Sequence, residues 1–287
     1  MISEENDKSP KEKNSGELLE EIEINLLLEG IYRYYGHDFR NYVFSSIKRR
    51  IWYRIGAERL NSVSSLQEKV LHDPCMMERL ATDFSIHISE MFRDPPFFKS
   101  FRENVVPLLE ELPFVRIWHA GCSTGEEVYS MAILLHEEGL YHKTRIYATD
   151  MNEDLLKKAK DGVYPLNKMP EYQDNYQLAG GIKEFADYFE VRHDNAVFFQ
   201  PYLRNNLVFA QHNLATDHSF NEFHVIICRN VMIYFNKALQ DRVHGLFYES
   251  LCLSGILGLG DKEDIAFNNY SHCYEAFHRE KIYRKVK

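Results

Sequence analysis

The 287-residue sequence predicts an all-helical amino-terminal part followed by an α/β domain built on a parallel, doubly wound sheet. Three observations support this fold class. The first ~85 residues show no alternation typical of strands and instead carry apolar residues at helical spacing. From Val115 onward, short apolar runs alternate with amphipathic stretches, as they do in successive β-α units. An apolar content of 45% is sufficient for a buried core.

Four helices are predicted before the α/β domain. Apolar periodicity places them over residues 17–35, 38–55, 64–71 and 75–84. Asn61 or Ser62 could cap the third helix, and Pro74 could begin the fourth. Residues 1–16 are polar and of low complexity, so we expect a disordered tail ahead of the first helix.

Five strands and three helices are predicted in the α/β domain. The strands fall on residues 115–121, 144–150, 207–212, 223–228 and 255–260, and the helices on residues 126–138, 153–160 and 237–253. Beyond residue 164 the pattern breaks into short pieces, which predicts an inserted antiparallel β element at about residues 165–206. In such a sheet, ligands bind beyond the carboxyl ends of the strands, so the residues that follow the strands form the candidate site.

Composition and charge exclude several classes of protein. The chain has 34 basic and 43 acidic residues, a net charge of −9, which argues against a protein that wraps nucleic acid. No apolar run approaches the ~20 residues of a membrane span, and the amino terminus is charged rather than signal-like. The five cysteines are widely spaced without a C-x-x-C pair, which favours reduced thiols over disulfides or a zinc site. We therefore expect a cytoplasmic protein without membrane insertion and without a bound metal.

A cluster of positive charge lies on the second predicted helix. Residues 31–60 carry seven Lys and Arg against two acids. The basic residues of this helix are Lys48, Arg49, Arg50 and Arg54. One interpretation is an ordinary solvated face. The other is a docking face for an acidic partner, because crowding of like charges costs stability unless a partner offsets it.

A glycine-rich turn follows the first predicted strand. The sequence AGCSTGEE, residues 120–127, contains Gly121 and Gly125, which allow a tight turn and close approach of the backbone to a ligand. The spacing G-x-x-x-G is neither the dinucleotide fingerprint nor a P-loop, which disfavours redox and nucleotide-hydrolysing functions. An alternative is a purely structural turn, because S-x-x-E and T-x-x-E within it both match a capping box.

Asp150 ends the second predicted strand, where an acid can accept hydrogen bonds from ribose hydroxyls. Asp150 could instead cap the next helix, although Asn152 is equally well placed to do so. A ribose acceptor beside a glycine turn that lacks a pyrophosphate cradle indicates a nucleoside ligand without phosphate. S-adenosylmethionine (SAM) is the common cofactor of that kind.

Two further stretches place polar residues at the expected site. The segment ISEMFRDP, residues 88–95, joins the two predicted parts and contains Arg93. The stretch ICRNVMIYF, residues 227–235, leaves a buried strand and places Arg, Asn and Tyr at its carboxyl end. Tyr234 could alternatively be an aromatic core residue.

With these motifs the sequence resembles the CheR-type chemotaxis-receptor glutamate methyltransferases, which use SAM. The resemblance runs from about residue 39 to residue 285 and is carried by residues 88–95, 120–130, 148–164 and 228–235. It implies a Rossmann-like class I methyltransferase domain over residues 88–287, preceded by an all-α, receptor-docking domain over residues 17–87. The implied activity is transfer of a methyl group from SAM to glutamate carboxylates of receptor cytoplasmic domains.

The resemblance also implies a role for each matching residue. Arg93 and Tyr234 would act at the acceptor carboxylate. Together with Gly121 of the turn, the residues expected at the cofactor are His87, Ser89, Arg93, Glu127, Asp150, Asn213, Leu214, Asn230 and Val231. Glu127 would hold the amino acid part of SAM and Asp150 its ribose. The expected partner is the helical bundle of a chemotaxis receptor, docked on Lys48, Arg49, Arg50 and Arg54.

Several positions depart from the family pattern and support a second hypothesis. Ser89 replaces Thr, Met91 replaces Phe, His87 replaces Asn and Val128 replaces Pro. The sequence GLGDKE, residues 258–263, replaces the usual Gly-His-Ser-Glu. These changes are compatible with a non-catalytic, SAM-binding signalling module.

A third hypothesis is an amino-methyltransferase that acts on nucleic acid. It rests on DPPF at residues 94–97, which resembles the D-P-P-Y/F element of such enzymes. That element normally follows an apolar strand, whereas here it follows a polar stretch, and two prolines commonly begin a helix. The net charge also disfavours this hypothesis.

The inserted β element bears on how the receptor is recognised. Family members that tether a peptide at the receptor's carboxyl terminus carry a longer, glycine-bearing turn in this element. Here residues 188–189 and 196–199 are joined by six residues without glycine. We therefore expect a protein that does not depend on a tethering peptide.

Overall fold

The computed structural model describes residues 15–84, 89–192, 195–266 and 268–287, and its contacts separate an amino-terminal unit ending at Phe84 from a carboxyl-terminal unit beginning at Ser85. His87, one of the predicted cofactor residues, lies outside the described residues. The same holds for residues 1–14 of the predicted polar tail.

The amino-terminal unit contains the four predicted helices. They are α1 (Ser15–Tyr35), α2 (Phe44–Ala57), α3 (Val63–His72) and α4 (Pro74–Phe84). Their apolar residues recur every three or four positions and form one buried core. The Ser62 hydroxyl accepts a hydrogen bond from the Ser65 amide at 3.1 Å and so caps α3, and Pro74 begins α4 as predicted.

The second helix begins at Phe44 rather than at residue 38. The Asp38 carboxylate accepts a hydrogen bond from the Arg40 amide at 3.1 Å, which closes a local turn that competes with the helix. Phe39 is buried in the core, with its ring centroid 4.8 Å from that of Phe84. The spacing of apolar residues alone does not distinguish a buried residue in a turn, such as Phe39, from a buried residue in a helix.

The four basic residues of α2 do not share one outer face. Arg50 is buried and donates a hydrogen bond to the carbonyl of Phe84. Arg54 donates to both carboxylate oxygens of Asp83, at 2.6 and 2.8 Å. The predicted docking role is therefore wrong for Arg50, whose charge does not reach the surface, and the charge of Arg54 is neutralised within the unit.

Lys48 and Arg49 are the more accessible members of this basic set. Lys48 pairs with Glu20 at 2.7 Å and keeps 41% of its side chain exposed, and Arg49 is exposed. An exposed ion pair of this kind contributes little to stability and can be exchanged for another partner.

The carboxyl-terminal unit is an α/β domain, as predicted. Its strands are β1 (Val115–Ala120), β2 (Thr144–Asp150), β3 (Val163–Pro165), β4 (Phe189–Arg192), β5 (Ala196–Phe199), β6 (Leu207–Gln211), β7 (Phe223–Cys228), β8 (Leu251–Leu259), β9 (Tyr274–His278) and β10 (Ile282–Lys285). Its α-helices are α5 (Pro95–Ser100), α6 (Val106–Glu110), α7 (Glu126–Glu137), α8 (Glu153–Asp161), α9 (Met169–Leu178) and α10 (Lys237–Ser250).

Seven of these strands form one sheet in the order β6-β2-β1-β7-β8-β10-β9. The first five are parallel, and β10 runs antiparallel to β8 and β9. The chain moves outward from β1 in one direction and returns to β7 on its other side. The strand order therefore reverses between β1 and β7, which is where a doubly wound sheet binds its ligand.

The inserted element is a small antiparallel sheet in the order β3-β5-β4, as predicted for this region. It packs on the domain through aromatic rings: Phe199 stacks on Tyr129 with ring centroids 5.3 Å apart, and Tyr164 meets both rings edge-on. Arg192 of β4 pairs with Ala196 of β5, so residues 193–195 alone connect the two strands.

Element boundaries near the carboxyl terminus differ from those predicted. Helix α10 ends at Ser250, and β8 begins at Leu251, whereas the sequence predicted the helix to residue 253 and the strand from residue 255. The register of β8 against β7 shifts just after Leu251, and Ser254 adopts a φ of 64°, so regular alternation is lost there. None of the helices in the described ranges combines the length and apolarity needed to cross a bilayer.

Candidate functional site

Most of the predicted site residues collect at the carboxyl ends of β1, β2, β6 and β7. Gly121 follows β1, Asp150 ends β2, Asn213 lies just beyond β6, and Asn230 and Val231 follow β7. The topology therefore brings together residues that are as much as 110 positions apart in the chain, at the point where the strand order reverses.

The turn after β1 uses both glycines in the left-handed region. Gly121 has a φ of 77°, and a Cβ atom on it would lie 2.6 Å from Cγ2 of Val231. Gly125 has a φ of 91° and is itself the N-cap of α7, without a side-chain cap hydrogen bond. The capping-box interpretation of this turn is therefore wrong. The side chains of Glu126 and Glu127 have other partners.

Asp150 ties this turn to the end of β2. One carboxylate oxygen accepts a hydrogen bond from the Ser123 amide at 2.9 Å, and the other accepts from the Asn152 amide at 3.0 Å. The cap of α8 is Asn152, whose side-chain oxygen accepts from the amides of Asp154 and Leu155. Asp150 thus holds the glycine turn rather than the helix terminus. The Ser123 hydroxyl is buried, without a partner among the described residues.

Arg229, which directly follows β7, joins three parts of the site. Its guanidinium donates to Glu127 at 2.8 Å, to the Asp94 carboxylate at 2.7 Å and to the Arg93 carbonyl at 3.1 Å. Its side chain is 1% exposed and lies 4.2 Å from the ring centroid of Phe97. We call this set of contacts the Arg229 clamp.

Glu127 is an ionised member of the clamp. Burial alone would raise the pKa of Glu127, but the Arg229 charge and the hydrogen bonds from His119 and Arg229 hold it below its ordinary value. His119 is buried on β1 with Nδ1 3.2 Å from a Glu127 oxygen, and its Nε2 has no partner in the described part of the chain.

The clamp also holds the loop that carries Arg93. Phe92 and Asp94, on either side of Arg93, adopt φ values of 50° and 54°, which are strained for side chains of this size. The Phe92 amide donates to the Ser130 hydroxyl at 2.8 Å, which anchors the other end of the loop to α7. A strained loop fixed at both ends presents Arg93 in one backbone conformation.

The DPPF element is explained by the same contacts. Asp94 is bound by Arg229, the two prolines begin α5, and Phe97 packs under the guanidinium. The contacts of this element therefore give no support for a nucleic-acid base as its ligand. The third hypothesis from the sequence therefore loses its support.

A second set of contacts, the Glu263 clamp, fixes the loop after β7. The Glu263 carboxylate accepts hydrogen bonds from the amides of Asn230, Val231, Met232 and Gly260, at 2.7 to 2.9 Å. Asn230 has a φ of 61°, in the left-handed region that asparagine tolerates better than most residues. Glu263 is the last residue of GLGDKE, the sequence that differs from the family's usual Gly-His-Ser-Glu, and it keeps the glutamate of that pattern. Its role is to shape the loop.

The remaining predicted residues lie at the edges of this arrangement. The Asn213 side chain accepts a hydrogen bond from the Ala215 amide at 2.9 Å, and Leu214 is buried. Tyr234 is half-buried in a short 3-10 turn after β7. The Ser89 hydroxyl hydrogen-bonds to the Glu126 carboxylate.

Comparison with known proteins decides the family. Residues 87–280 match the family described as CheR methyltransferase, SAM binding domain, and residues 22–85 match CheR methyltransferase, all-alpha domain. The chain belongs to the CheR methyltransferase family.

Two relatives in sequence agree with this assignment, and one distant solved structure is given for comparison only. The chain is 53% identical over 266 residues to a Pseudomonas putida protein named "Putative methyltransferase Cher3", covering 92% of this chain and 97% of that protein. It is 28% identical to a chemotaxis protein methyltransferase of Listeria monocytogenes, covering 80% and 85% of the two chains. A solved Micromonospora echinaspora amino pentose methyltransferase with bound SAM superposes at a TM-score of 0.34 and 11% identity, over 56% of this chain and 50% of that one.

The residues of this CheR-family protein fit SAM. The ligand has two positive groups and two ribose hydroxyls, and the site supplies the carboxylates of Glu126, Glu127 and Asp150. The buried Ser123 hydroxyl adds one polar group that has no partner among the described residues. Three carboxylates would repel a phosphate, which agrees with the absence of a P-loop. Among the described residues, no group of three or more His, Cys, Asp or Glu is arranged to hold a metal ion.

Sequence reasoning missed two residues that organise this CheR-family site, Arg229 and Glu263. A signal existed for Arg229, because an arginine directly after the apolar run Val225–Cys228 needs a buried partner. No signal in the sequence indicated that Glu263 would collect four backbone amides.

Replacing Asp150 with alanine should weaken SAM binding about tenfold or more, because a charge-assisted hydrogen bond is worth about 1.5–3 kcal/mol. The matched control is Asn152→Ala, which removes the cap of α8 at a cost of about 1 kcal/mol in stability but leaves the site carboxylates in place. Calorimetric titration with SAM checks both variants. Unchanged affinity in Asp150→Ala would mean that Asp150 has only the structural role seen in its contacts to Ser123 and Asn152.

Proposed function

We propose that this protein transfers a methyl group from SAM to glutamate side chains in the cytoplasmic domain of a chemotaxis receptor, giving glutamate methyl esters. The observation that supports this best is the Arg229 clamp. It holds the loop of Arg93 and the carboxylate of Glu127 on one guanidinium in a protein of the CheR family. The backbone of the loop that carries Arg93 and the carboxylate of Glu127 are thus held by the same side chain. A cytoplasmic location follows from this choice of substrate and agrees with five free cysteines.

The mechanism requires positioning rather than proton transfer. When bound, SAM supplies an electrophilic methyl group on a positive sulfonium. A glutamate acceptor has a pKa of about 4.3, so at neutral pH the site residues have no proton to remove. The new bond forms between the methyl carbon and a carboxylate oxygen as the sulfur–methyl bond breaks, which leaves two neutral products. A dry site favours this loss of charge.

Arg93 and Tyr234 are the residues that we expect at the acceptor carboxylate. The guanidinium of Arg93 would orient one carboxylate oxygen, and the phenol of Tyr234 would donate to the other. Glu127 and Asp150 would hold the cofactor in line with the acceptor. Good alignment of two bound reactants gives effective molarities on the order of 10⁵ M.

Arg93→Ala and Tyr234→Phe should each lower methyl transfer about tenfold or more, since each removes a hydrogen bond to a charged acceptor. Stability should change little, because Tyr234→Phe removes only a hydroxyl and the Arg93 side chain is only half-buried. The measurement is incorporation of labelled methyl groups into receptor fragments from the same organism, with thermal unfolding beside it. Tyr202→Phe, a half-buried tyrosine in the turn that precedes β6, is the control.

The outcomes separate the proposed function from its alternatives. Parental rates in both variants would mean that the acceptor site has been placed wrongly. SAM binding by the parent protein without methyl incorporation into any receptor fragment would favour the non-catalytic signalling module.

We propose that Lys48 and Arg49, rather than a tethering peptide, recognise the receptor. β4 ends at Arg192 and β5 begins at Ala196, so only three positions separate the two strands, which supports the expectation that this protein does not depend on a tether. The double reversal Lys48→Glu and Arg49→Glu should raise the apparent KM for receptor several-fold and weaken its salt dependence, because exposed charges act within about 8 Å at physiological ionic strength.

The control for this reversal is Lys69→Glu, an exposed lysine on α3 of the same unit. Affinity for SAM should stay constant in all variants, and deletion of the receptor's last residues should have little effect. If the deletion abolishes methylation and the reversal does not, recognition depends on a tether.

A further inference from the structure

Glu126 is a buried carboxylate without a compensating cation. It is 7% exposed, and it accepts hydrogen bonds from the hydroxyls of Thr124, at 2.6 Å, and Ser89. No arginine, lysine or histidine of the described residues forms an ion pair with it. Burial and the charge of another acid, Glu90, raise the pKa of Glu126 above its ordinary value.

The other carboxylates deep in this unit have a cation or several backbone amides as partners, although burial raises the pKa of Glu263 as well. Glu127 has Arg229 at 2.8 Å, Glu137 has Arg102 at 2.6 Å, and Glu263 has four backbone amides. A buried carboxylate without such partners costs several kcal/mol, and proteins retain that cost mainly at functional sites. The hydroxyls of Thr124 and Ser89 and the Glu126 backbone amide, at the start of α7, offset only part of the cost for Glu126.

We propose that Glu126 supplies the negative charge that faces the sulfonium of SAM. The inference rests on SAM being the cofactor of the proposed function. Glu126 begins α7 beside Glu127, and its partner Ser89 is one of the residues expected at the cofactor. SAM brings two positive groups, and Glu127 is expected to take the ammonium. The sulfonium is then the positive group of SAM that Glu126 would face.

This contact distinguishes SAM from its product. S-adenosylhomocysteine (SAH) keeps the ammonium but has a neutral sulfur, so it gains nothing from a charge opposite the sulfur. Glu126 would then favour exchange of product for new cofactor. Because the sulfonium charge is lost in the transition state, the contact stabilises bound SAM and does not speed transfer.

The test is calorimetric titration of the wild-type protein and Glu126→Gln with SAM and with SAH. We expect about a tenfold loss of SAM affinity, which corresponds to about 1.4 kcal/mol, and less than a twofold change for SAH. With receptor present, KM for SAM should rise while kcat is unchanged or higher. Glu153→Gln is the control, since it removes an exposed carboxylate from the first turn of α8.

Each other outcome overturns the inference. An equal loss of SAM and SAH affinity would place Glu126 at the ammonium, and unchanged affinity for both would leave it structural. The unliganded Glu126→Gln protein should melt at the wild-type temperature or above, because it no longer buries a charge, and a clear drop would also indicate a structural role. If the wild-type protein binds neither SAM nor SAH, the proposed function fails instead.

Discussion

Replacing Arg229 with glutamine should destabilise the methyltransferase domain by about 3–5 kcal/mol and weaken SAM binding at least tenfold. The loss is large because the substitution leaves the carboxylates of Glu127 and Asp94 and the carbonyl of Arg93 without their common donor. The strained residues on either side of Arg93 also lose their tie to β7. Denaturant unfolding and calorimetric titration with SAM measure the two effects.

Two variants test whether the geometry or only the charge of Arg229 matters. Arg229→Lys keeps the charge but loses the planar fork that reaches several acceptors, so we expect an intermediate result. The control is Lys168→Gln, which breaks an exposed pair with Glu171 at 3.2 Å and should cost no more than about 1 kcal/mol. If Arg229→Gln costs no more than this control, the clamp does not organise the site.

The effect of the Arg229 substitution should also depend on pH. The pKa of Glu127 is lowered in the folded protein, so its ion pair contributes stability at pH values above the ordinary value of 4.5. That contribution is lost as the pH falls through the lowered pKa. The stability difference between wild-type protein and Arg229→Gln should therefore narrow on acidification.

Replacing Glu263 with alanine is expected to have a comparably large effect. The substitution leaves four amides without their acceptor, two buried and two part-buried, at about 1–3 kcal/mol for each buried unsatisfied group before relaxation. We expect a loss of about 3 kcal/mol or more in stability. SAM binding should fall as well, since Asn230 and Val231 no longer have a fixed backbone.

The matched control for Glu263 is its neighbour Asp264, replaced by asparagine. Asp264 pairs with Lys281 at 2.6 Å near the surface, with 46% of its side chain exposed. The Asp264 variant should lose about 1 kcal/mol or less and bind SAM normally. Wild-type affinity in Glu263→Ala would show that the loop keeps its shape without the carboxylate.

Five strands and three helices of the methyltransferase domain could be predicted from the sequence in their order along the chain, whereas α5, α6, α9, β9 and β10 were not predicted. Residues 144–150 and 223–228 were predicted with the same bounds that β2 and β7 have in the structure, because their apolar runs are bounded by clear turn residues. Both Asp150 and Asn152 were candidates for the cap of α8 in the sequence, and the structure shows that Asn152 is the cap. The pattern of apolar residues and the turn residues that bound each run were sufficient to predict these elements.

Other features depended on partners that are distant in the chain. Arg50 was predicted at a docking surface, but the Phe84 carbonyl, 34 positions away, holds it in the core. The capping boxes of α7 did not form, because Gly125 caps the helix backbone and Glu127 is bound by Arg229, 102 positions further along. Helical spacing identifies which residues share a face of a helix. It does not identify the hydrogen-bond acceptors, from elsewhere in the chain, that pack against that face.

The sequence by itself thus determined the class of fold, the place of the site at the strand ends and, through its motifs, the CheR family. The tertiary structure alone decided which charges are paired. It showed Arg229 joining Glu127 to the Arg93 loop and Glu263 collecting the loop after β7, while Glu126 had no cation among the described residues. The physical reason is range: secondary structure follows from contacts between near neighbours, whereas the balance of buried charge follows from residues that only the folded chain brings together.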